Sequence, residues 1–339
     1  MTLAEIARLA GVSRTTASYV INGQARERRI SQDTIDRVMS LVERHHYQVD
    51  AQAAALRRGA SHTLGLIIPD LENASYARLA KLLEQGARRR GYQLLIAGSD
   101  DDPESERELA RALRAQRCDV LIVASCLAMD DPLYAELMSA GLPVIAVDRA
   151  LDPTRFVSIV SNNQAAAQSL TESVLAADVR HIAWFDAVPD LSISEERRSG
   201  FQRALGQAPV HVIAKSGLRY DRAEGARLMR ELLAEQAMPD ALVTASYTLM
   251  DGAFDVLLER GDLPERLRLA TFGDDRLLDF LPLAVNSLPQ DHPRIAELTL
   301  DKALAAARGD YLPGQVLVER SLRHRSTQAR DRRTAPSNQ

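Results

Sequence analysis

At 339 residues, 46% hydrophobic and 26% charged, the chain can bury cores for two or three domains, which excludes a disordered or fibrous protein. Its two cysteines, Cys118 and Cys126, exclude a disulfide framework and match no zinc spacing, so free thiols in a reducing cytoplasm are expected. The net charge of −4 is uneven: residues 1–60 hold nine arginines against six acids, a net of +3, leaving −7 for the remainder. A small basic head on an acidic body suits a nucleic-acid contact confined to one end. The opening residues lack an apolar signal-peptide core, and no apolar stretch approaches the ~18 residues of a membrane span. A cytoplasmic protein with no membrane partner is expected.

Thr2-Leu-Ala-Glu5 reads as a capping box, and Leu3, Ile6, Ala7 and Ala10 follow at helical spacing until Gly11, a left-handed stop. Ser13 is a good N-cap for a second helix from Arg14 to Ile21, ended by Asn22-Gly23. Its apolar stripe is Ala17, Val20 and Ile21. A third helix, from Ser31 to about His46, is expected to bury Ile35, Val38 and Val42. Two short helices joined by a glycine-containing turn, with a third to complete the core, make a helix-turn-helix unit. The polar residues of the second helix are the candidate DNA contacts: Arg14, Thr15, Thr16, Ser18, Tyr19 and Asn22. Arg14 suits bidentate pairing with guanine, and Thr15 can meet a base edge or a thymine methyl. In the loop Gln24 to Ile30, Arg28 and Arg29, with Arg26, suit phosphate contacts. The competing reading is a plain three-helix scaffold with a solvated polar face.

From Thr63 the pattern changes to short apolar runs alternating with helical stretches. The runs Leu64–Ile68, Tyr92–Ala97, Val120–Ala124 and Pro143–Val147 form one series, with helices near 75–90, 104–115 and 131–140. His181–Phe185, Val210–Ile213, Ala241–Thr244 and Leu267–Phe272 form a second. Such alternation implies parallel sheets with helices on both faces, and its repetition implies two similar lobes around a cleft. Ligands in open α/β sheets sit at the carboxyl ends of the strands. No Walker A, no G-x-G-x-x-G after a strand, no G-x-S-x-G and no H-E-x-x-H is found. The seven histidines are scattered. No catalytic residue, no cofactor and no metal is expected. Arg88-Arg89-Arg90 reads as a solvated helix C-terminus. The arginine-rich end from Arg320 lacks leucine heptads, which points to a dimer with a tetramer still possible, and its last dozen residues are expected to be disordered.

Leu3-Ala-Glu-Ile-Ala7, Ala10-Gly-Val-Ser13, Thr16-Ala-Ser18, Val20-Ile-Asn22, Ser31, Thr34, Arg37-Val38 and Tyr47 together resemble the DNA-binding head of the lactose/galactose repressor family. Ser13 to Gly23, with Tyr19 and the lengthened loop after it, looks especially like its fructose-responsive branch. The resemblance implies an all-α helix-turn-helix head plus an α/β periplasmic-binding-protein-like core of two doubly wound parallel-sheet lobes. The implied domains are 1–46 (head), 47–61 (hinge helix), 62–161 with 290–320 (first lobe), 162–289 with 321–327 (second lobe) and 328–339 (tail). Within the hinge, Leu56 matches the leucine that wedges into the minor groove. Val49, Asp50 and Ala54 depart from the family's usual Pro-Asn and arginine. Residue by residue, the implied effector contacts are Asp70, Asn73, Ser75 and Tyr76 in the first loop, Ser125 after a strand, Arg149, Arg197, Ser246 and Asp274. Sugar hydroxyls need paired donors and acceptors, while a phosphate needs arginine.

The expected function is a homodimeric repressor of sugar metabolism that binds double-stranded operator DNA and is released by a phosphorylated fructose, fructose 1-phosphate foremost. The alternatives are the same repressor answering to another sugar or a purine, or a sugar-phosphate enzyme with an appended DNA head.

Overall fold

The computed structural model describes residues 1–47, 60–261 and 266–325. The chain divides into two compact units, Met1–Ser61 and His62–Gln339.

Among the described residues, the first unit is three helices. Helix α1 (Leu3–Ala10) starts at the capping box, in which Thr2 accepts from the Glu5 N–H while Glu5 reaches back to the Thr2 N–H at 2.7 Å. It stops at Gly11, whose φ of 66° is open to glycine without a Cβ clash. Helix α2 (Arg14–Ile21) is capped by Ser13, and α3 (Gln32–Arg44) by Ser31. The third helix is therefore slightly shorter than expected at both ends. Ile6, Ala7, Ala10, Ala17, Val20, Ala25 and Val38 close the core, with Ile35 and Val42 half-buried against it.

The second unit holds two parallel sheets. The first joins β1 (Thr63–Ile68), β2 (Gln93–Gly98), β3 (Val120–Val123), β4 (Val144–Val147), β5 (Val157–Ser161) and β11 (Gly314–Val318) in the order β11-β5-β4-β3-β1-β2. The second joins β6 (His181–Ala187), β7 (His211–Gly217), β8 (Ala241–Thr244), β9 (Arg268–Phe272) and β10 (Val285–Leu288) in the order β10-β9-β8-β6-β7. The helices are α4 (Ala74–Arg89), α5 (Pro103–Ala115), α6 (Leu133–Ser139), α7 (Asn163–Glu172), α8 (Ser192–Leu205), α9 (Arg222–Glu235), α10 (Tyr247–Arg260) and α11 (His292–Ala307).

Strand β1 shows why helices cover both faces. Its side chains alternate, so Leu64, Leu66 and Ile68 pack with Leu79 and Leu83 of α4 and Leu300 of α11. Ile67 joins the opposite core with Leu113 of α5 and Leu137 of α6. The second lobe is drawn tight by glycine: a Cβ on Gly200 would stand 2.1 Å from the Gln164 carbonyl, and one on Gly252 1.9 Å from that of Arg222. Those positions let α7 meet α8, and α9 meet α10, backbone to backbone.

The chain passes between the two lobes three times. It leaves the first sheet after Ser161 and enters α7, which packs with Phe272 and Leu288 of the second. It returns between Leu288 and α11. After Val318 it crosses again, and Arg323 pairs its backbone with Ser287. Three strands absent from the sequence reading, β5, β10 and β11, lie at these crossings. Among the described residues, no helix is long and apolar enough to cross a membrane, and no cluster of three His, Cys, Asp or Glu could hold a metal.

Candidate functional site

A cavity of about 360 Å³ lies between the lobes, at the carboxyl ends of the strands. The first lobe contributes Asn73, Ser75, Tyr76, Arg78, Asp148 and Arg149, and the second Ile193, Arg197, Tyr220, Ser246, Tyr247, Thr248, Phe272, Asp274 and Asp275. Gln290, His292 and Arg320 come from the crossings.

The first-lobe wall is built at the start of α4. Asn73 caps the helix by accepting from the Ser75 N–H at 3.0 Å, and this places Ser75 and Tyr76 at the cavity. Tyr76 donates to Asp148 Oδ2 at 2.8 Å, and Gln290 donates its amide N–H to Asp148 Oδ1 at 2.6 Å. A carboxylate only accepts, so the Gln290 amide orientation is fixed and its Oε1 is left to take the Ser75 hydroxyl proton, at 2.8 Å. The Ser75 oxygen must then accept from His292 Nε2, also at 2.8 Å, which sets the neutral tautomer of that ring.

Four arginines line the cavity, in different electrostatic states. Arg149 is closed in an ion pair with Asp101. Arg197 donates to Asn163 Oδ1 at 3.1 Å and to the Ala245 carbonyl at 2.7 Å, and its guanidinium lies 4.4 Å from the centre of the Phe272 ring. Arg320 approaches the same ring at 5.4 Å, and its nearest acid, Asp148, is 3.8 Å away. Arg78 is exposed at the rim. Burial pushes Asp148 up, but Arg197, Arg320 and the Tyr76 hydroxyl outweigh it and hold the carboxyl below the ordinary range. Burial and the facing Arg197 bring Arg320 down to about 9. One carboxylate thus faces Arg197 and Arg320 together, and an anion entering the cavity is favoured by the remainder.

On the opposite wall, Ser246 caps α10 and shares a hydrogen bond with Thr248. Tyr220 bonds Ser194 at 2.7 Å. Asp274 is already engaged: it accepts from Ser287 at 2.6 Å, Arg325 at 2.7 Å and Arg323 at 3.1 Å.

Of the residues expected at this site, Asn73, Ser75, Tyr76, Arg149, Arg197, Ser246 and Asp274 line the cavity. Asp70 and Ser125 do not, and this corrects the sequence expectation. Asp70 accepts from the Glu72 N–H in a local turn. Ser125 is buried and donates to Glu106 Oε1 at 2.5 Å; that carboxylate also takes the Tyr134 hydroxyl and the Cys126 N–H. Asp148, Gln290, His292 and Arg320 were not among the expected contacts. Asp148 was visible as the neighbour of Arg149; the other three have no local signal.

In the head, Arg14, Thr15, Asn22, Arg28 and Arg29 are exposed, and Thr16, Ser18 and Tyr19 are half-buried. Thr16 bonds the capping Ser13, and Asn22 folds back on Ser18. Arg28 lies over the Tyr19 ring at 4.8 Å, so the lengthened loop is anchored on α2 by a cation–π contact. Leu56 lies outside the described residues, as does most of the expected hinge helix.

A helix-turn-helix head and a two-lobed body with a polar, arginine-lined cleft define a ligand-responsive DNA-binding regulator. Residues 2–50 match the family of bacterial regulatory proteins of the lacI family, and residues 61–272 match the periplasmic binding proteins and sugar binding domain of the LacI family. The chain belongs to the LacI family. It is 50% identical over 326 residues to the fructose operon regulatory protein of Vibrio cholerae, covering 96% of this chain and all of that one. It is 42% identical over 333 residues to the catabolite repressor/activator of Escherichia coli K12, covering 97% and 100%. Its fold matches the Cra transcriptional dual regulator of Pseudomonas putida, solved in complex with fructose 1-phosphate, at TM-score 0.76 and 50% identity over 78% of this chain and 99% of that one. The lac repressor dimer bound to operator shares the fold at TM-score 0.81 and 20% identity, over 96% and 99%. These relatives are regulators of transcription and not enzymes.

Proposed function

We propose that this chain is a cytoplasmic, homodimeric repressor of fructose-uptake genes, released from its operator by fructose 1-phosphate bound between the lobes. The observation that supports it most is the charge pattern of the cleft, where Arg197 and Arg320 face one carboxylate, Asp148. A phosphate monoester carries ≈ −1.5 to −2 charge and three acceptor oxygens, which matches this surplus. The serine and tyrosine hydroxyls and the amide of Asn73 supply the mixed donors and acceptors a sugar requires. The relatives' fructose operon role and the fructose 1-phosphate complex of the Pseudomonas regulator support the same ligand.

In this reading α2 of each subunit enters a major groove, with Arg14, Thr15, Thr16, Ser18, Tyr19 and Asn22 toward the bases and Arg28 and Arg29 on phosphates. Leu56 serves as the minor-groove wedge, and the domain limits are those expected from the sequence. Effector must bind the low-affinity state more tightly than the operator-bound one, because only differential affinity shifts the equilibrium. The test is fluorescence anisotropy of DNA from upstream of a fructose-uptake operon, at fixed salt. Release by fructose 1-phosphate and not by fructose is expected; tight binding unaffected by either sugar would overturn the ligand.

A further inference from the structure

Arg320 sits in the third crossing and touches both of the others. Its backbone N–H donates to Asn162 Oδ1 at 3.0 Å, in the first crossing. Its Nη1 donates to the Leu288 carbonyl at 3.0 Å, at the start of the second. Its Nη2 faces Asp148, which follows β4 in the first lobe, at 3.8 Å. Its Nε is buried and has no partner among the described residues, on a side chain with 3% exposure in a residue that nonetheless lines the cavity. Buried N–H groups are almost always paired, so an unpaired one at a cavity wall marks a place for a ligand acceptor.

We infer that Arg320 is both an anion contact of the effector and the residue that passes its presence to the three interlobe crossings. This rests on the proposed effector reading and deepens it. Both guanidiniums approach the Phe272 ring, and burial and the charge of Arg197 each disfavour the charged form of Arg320. A ligand oxyanion accepting from Nε relieves both penalties at once. It also draws the guanidinium toward the cavity, and that movement bears directly on the Leu288 carbonyl and, through the Arg320 backbone N–H, on Asn162. Arg197 reaches the neighbouring Asn163, so Arg197 and Arg320 converge on the first crossing. Lysine cannot replace Arg320 here: one ammonium does not offer the planar fork that reaches Leu288 while leaving a second edge for the ligand.

The test uses the full-length protein and two variants. Arg320→Lys keeps a cation but removes the fork. Asn162→Ala leaves the Arg320 side chain unchanged and cuts one tie to the crossings at a half-buried position. Fructose 1-phosphate affinity is measured without DNA by calorimetry, operator affinity is measured with and without saturating ligand, and thermal melts check folding. For Arg320→Lys, ligand affinity is expected to fall ~10-fold or more, the magnitude of a lost charge-assisted hydrogen bond, and saturating ligand is expected to release operator less than in the wild type. Asn162→Ala should bind ligand normally yet show the same loss of release. Wild-type release by both variants at saturation would overturn the inference. A spin-label distance between the lobes, read with inorganic phosphate as probe, separates the two claims. If fructose 1-phosphate fails on the wild type but phosphate shifts that distance in the wild type and not in Arg320→Lys, the ligand reading falls and the Arg320 inference stands. If neither anion binds the wild type, both fall.

Discussion

Arg149 and Asp101 close a two-pronged ion pair at 2.5 and 3.2 Å, with only 5% and 8% of their side chains exposed. The pair fixes a loop of the first lobe under the cavity and removes Arg149 from the charge available to a ligand. Removing one partner of a buried pair leaves the other charge uncompensated, which costs about 3–5 kcal/mol. Asp101 has a left-handed φ of 54°, a conformation asparagine tolerates, so Asp101→Asn tests the charge without disturbing the backbone. Urea unfolding should show a loss of about 3 kcal/mol with an unchanged slope; a loss under 1 kcal/mol would mean that the pair does not hold the loop.

Arg197 stands differently. Its bonds go to an amide oxygen and a carbonyl, so its charge has no acid of its own closer than the cleft. Arg197→Ala should weaken fructose 1-phosphate binding by roughly 10- to 100-fold, corresponding to one or two lost charge-assisted hydrogen bonds. Operator affinity without ligand should stay within about twofold, because the residue lies in a separate compact unit from the head. An unaltered effector titration would remove Arg197 from the ligand site.

Strands β1–β4 and β6–β9 were legible because each is built on an apolar run bounded by polar turns. The three that were not, β5, β10 and β11, carry polar residues within the strand. Ser158 in β5 is fully buried and caps the Leu151 N–H, and Asn286 in β10 holds Ser173 and the Arg325 N–H. Hydropathy alone reads those segments as loops. The site divides along the same line. Residues that closely follow recognisable strands, such as Tyr76 at the start of α4 and Arg149 after β4, could be placed from their motifs. Gln290, His292 and Arg320 meet Asp148 and Ser75 only because the crossings bring together residues more than a hundred positions apart in the chain. The polar end of the chain shows no periodicity of its own and was assigned to the second lobe, at 321–327, only through the family resemblance; there Arg323 and Arg325 grip Asp274 and Asp279. Ser125 shows the converse: a polar residue after a strand whose hydroxyl serves a buried glutamate rather than a ligand.

In the head, Arg14 and Arg28 should separate into different classes of contact. On the proposed reading Arg14 contacts a base, so Arg14→Ala is expected to cost about 1–3 kcal/mol of operator binding and to relax preference at one base position. Arg28→Ala should weaken binding evenly across sequences and lower the slope of log K against log salt by about one. It also uncovers the Tyr19 ring, so some loss of loop order should accompany it. Equal salt slopes for wild type and Arg28→Ala would remove the phosphate role.

His292 gives a prediction in pH. Burial lowers its pKa, and Arg78 and Arg320 lower it further against the opposing pull of Asp148, to about 4 from an ordinary 6.5. The folded protein therefore keeps the ring neutral where the unfolded chain has already taken a proton. Between about 6.5 and 4 the unfolded state binds more protons, so stability falls as pH falls through that window and is level above it. The ring is partly exposed, and screening reduces the effect to on the order of 1 kcal/mol at pH 5. His292→Asn keeps a side-chain N–H for Ser75 without a titrating group, and should flatten the stability curve between pH 7 and 5. Saturating fructose 1-phosphate should flatten it in part, because an anion beside Arg78 and Arg320 offsets their share of the lowering, though not the larger share from burial, and raises the ring's pKa in the folded state. Chemical denaturation of both proteins at pH 7, 6 and 5, with and without ligand, checks this; parallel curves for wild type and His292→Asn would show that the ring is not the group that titrates.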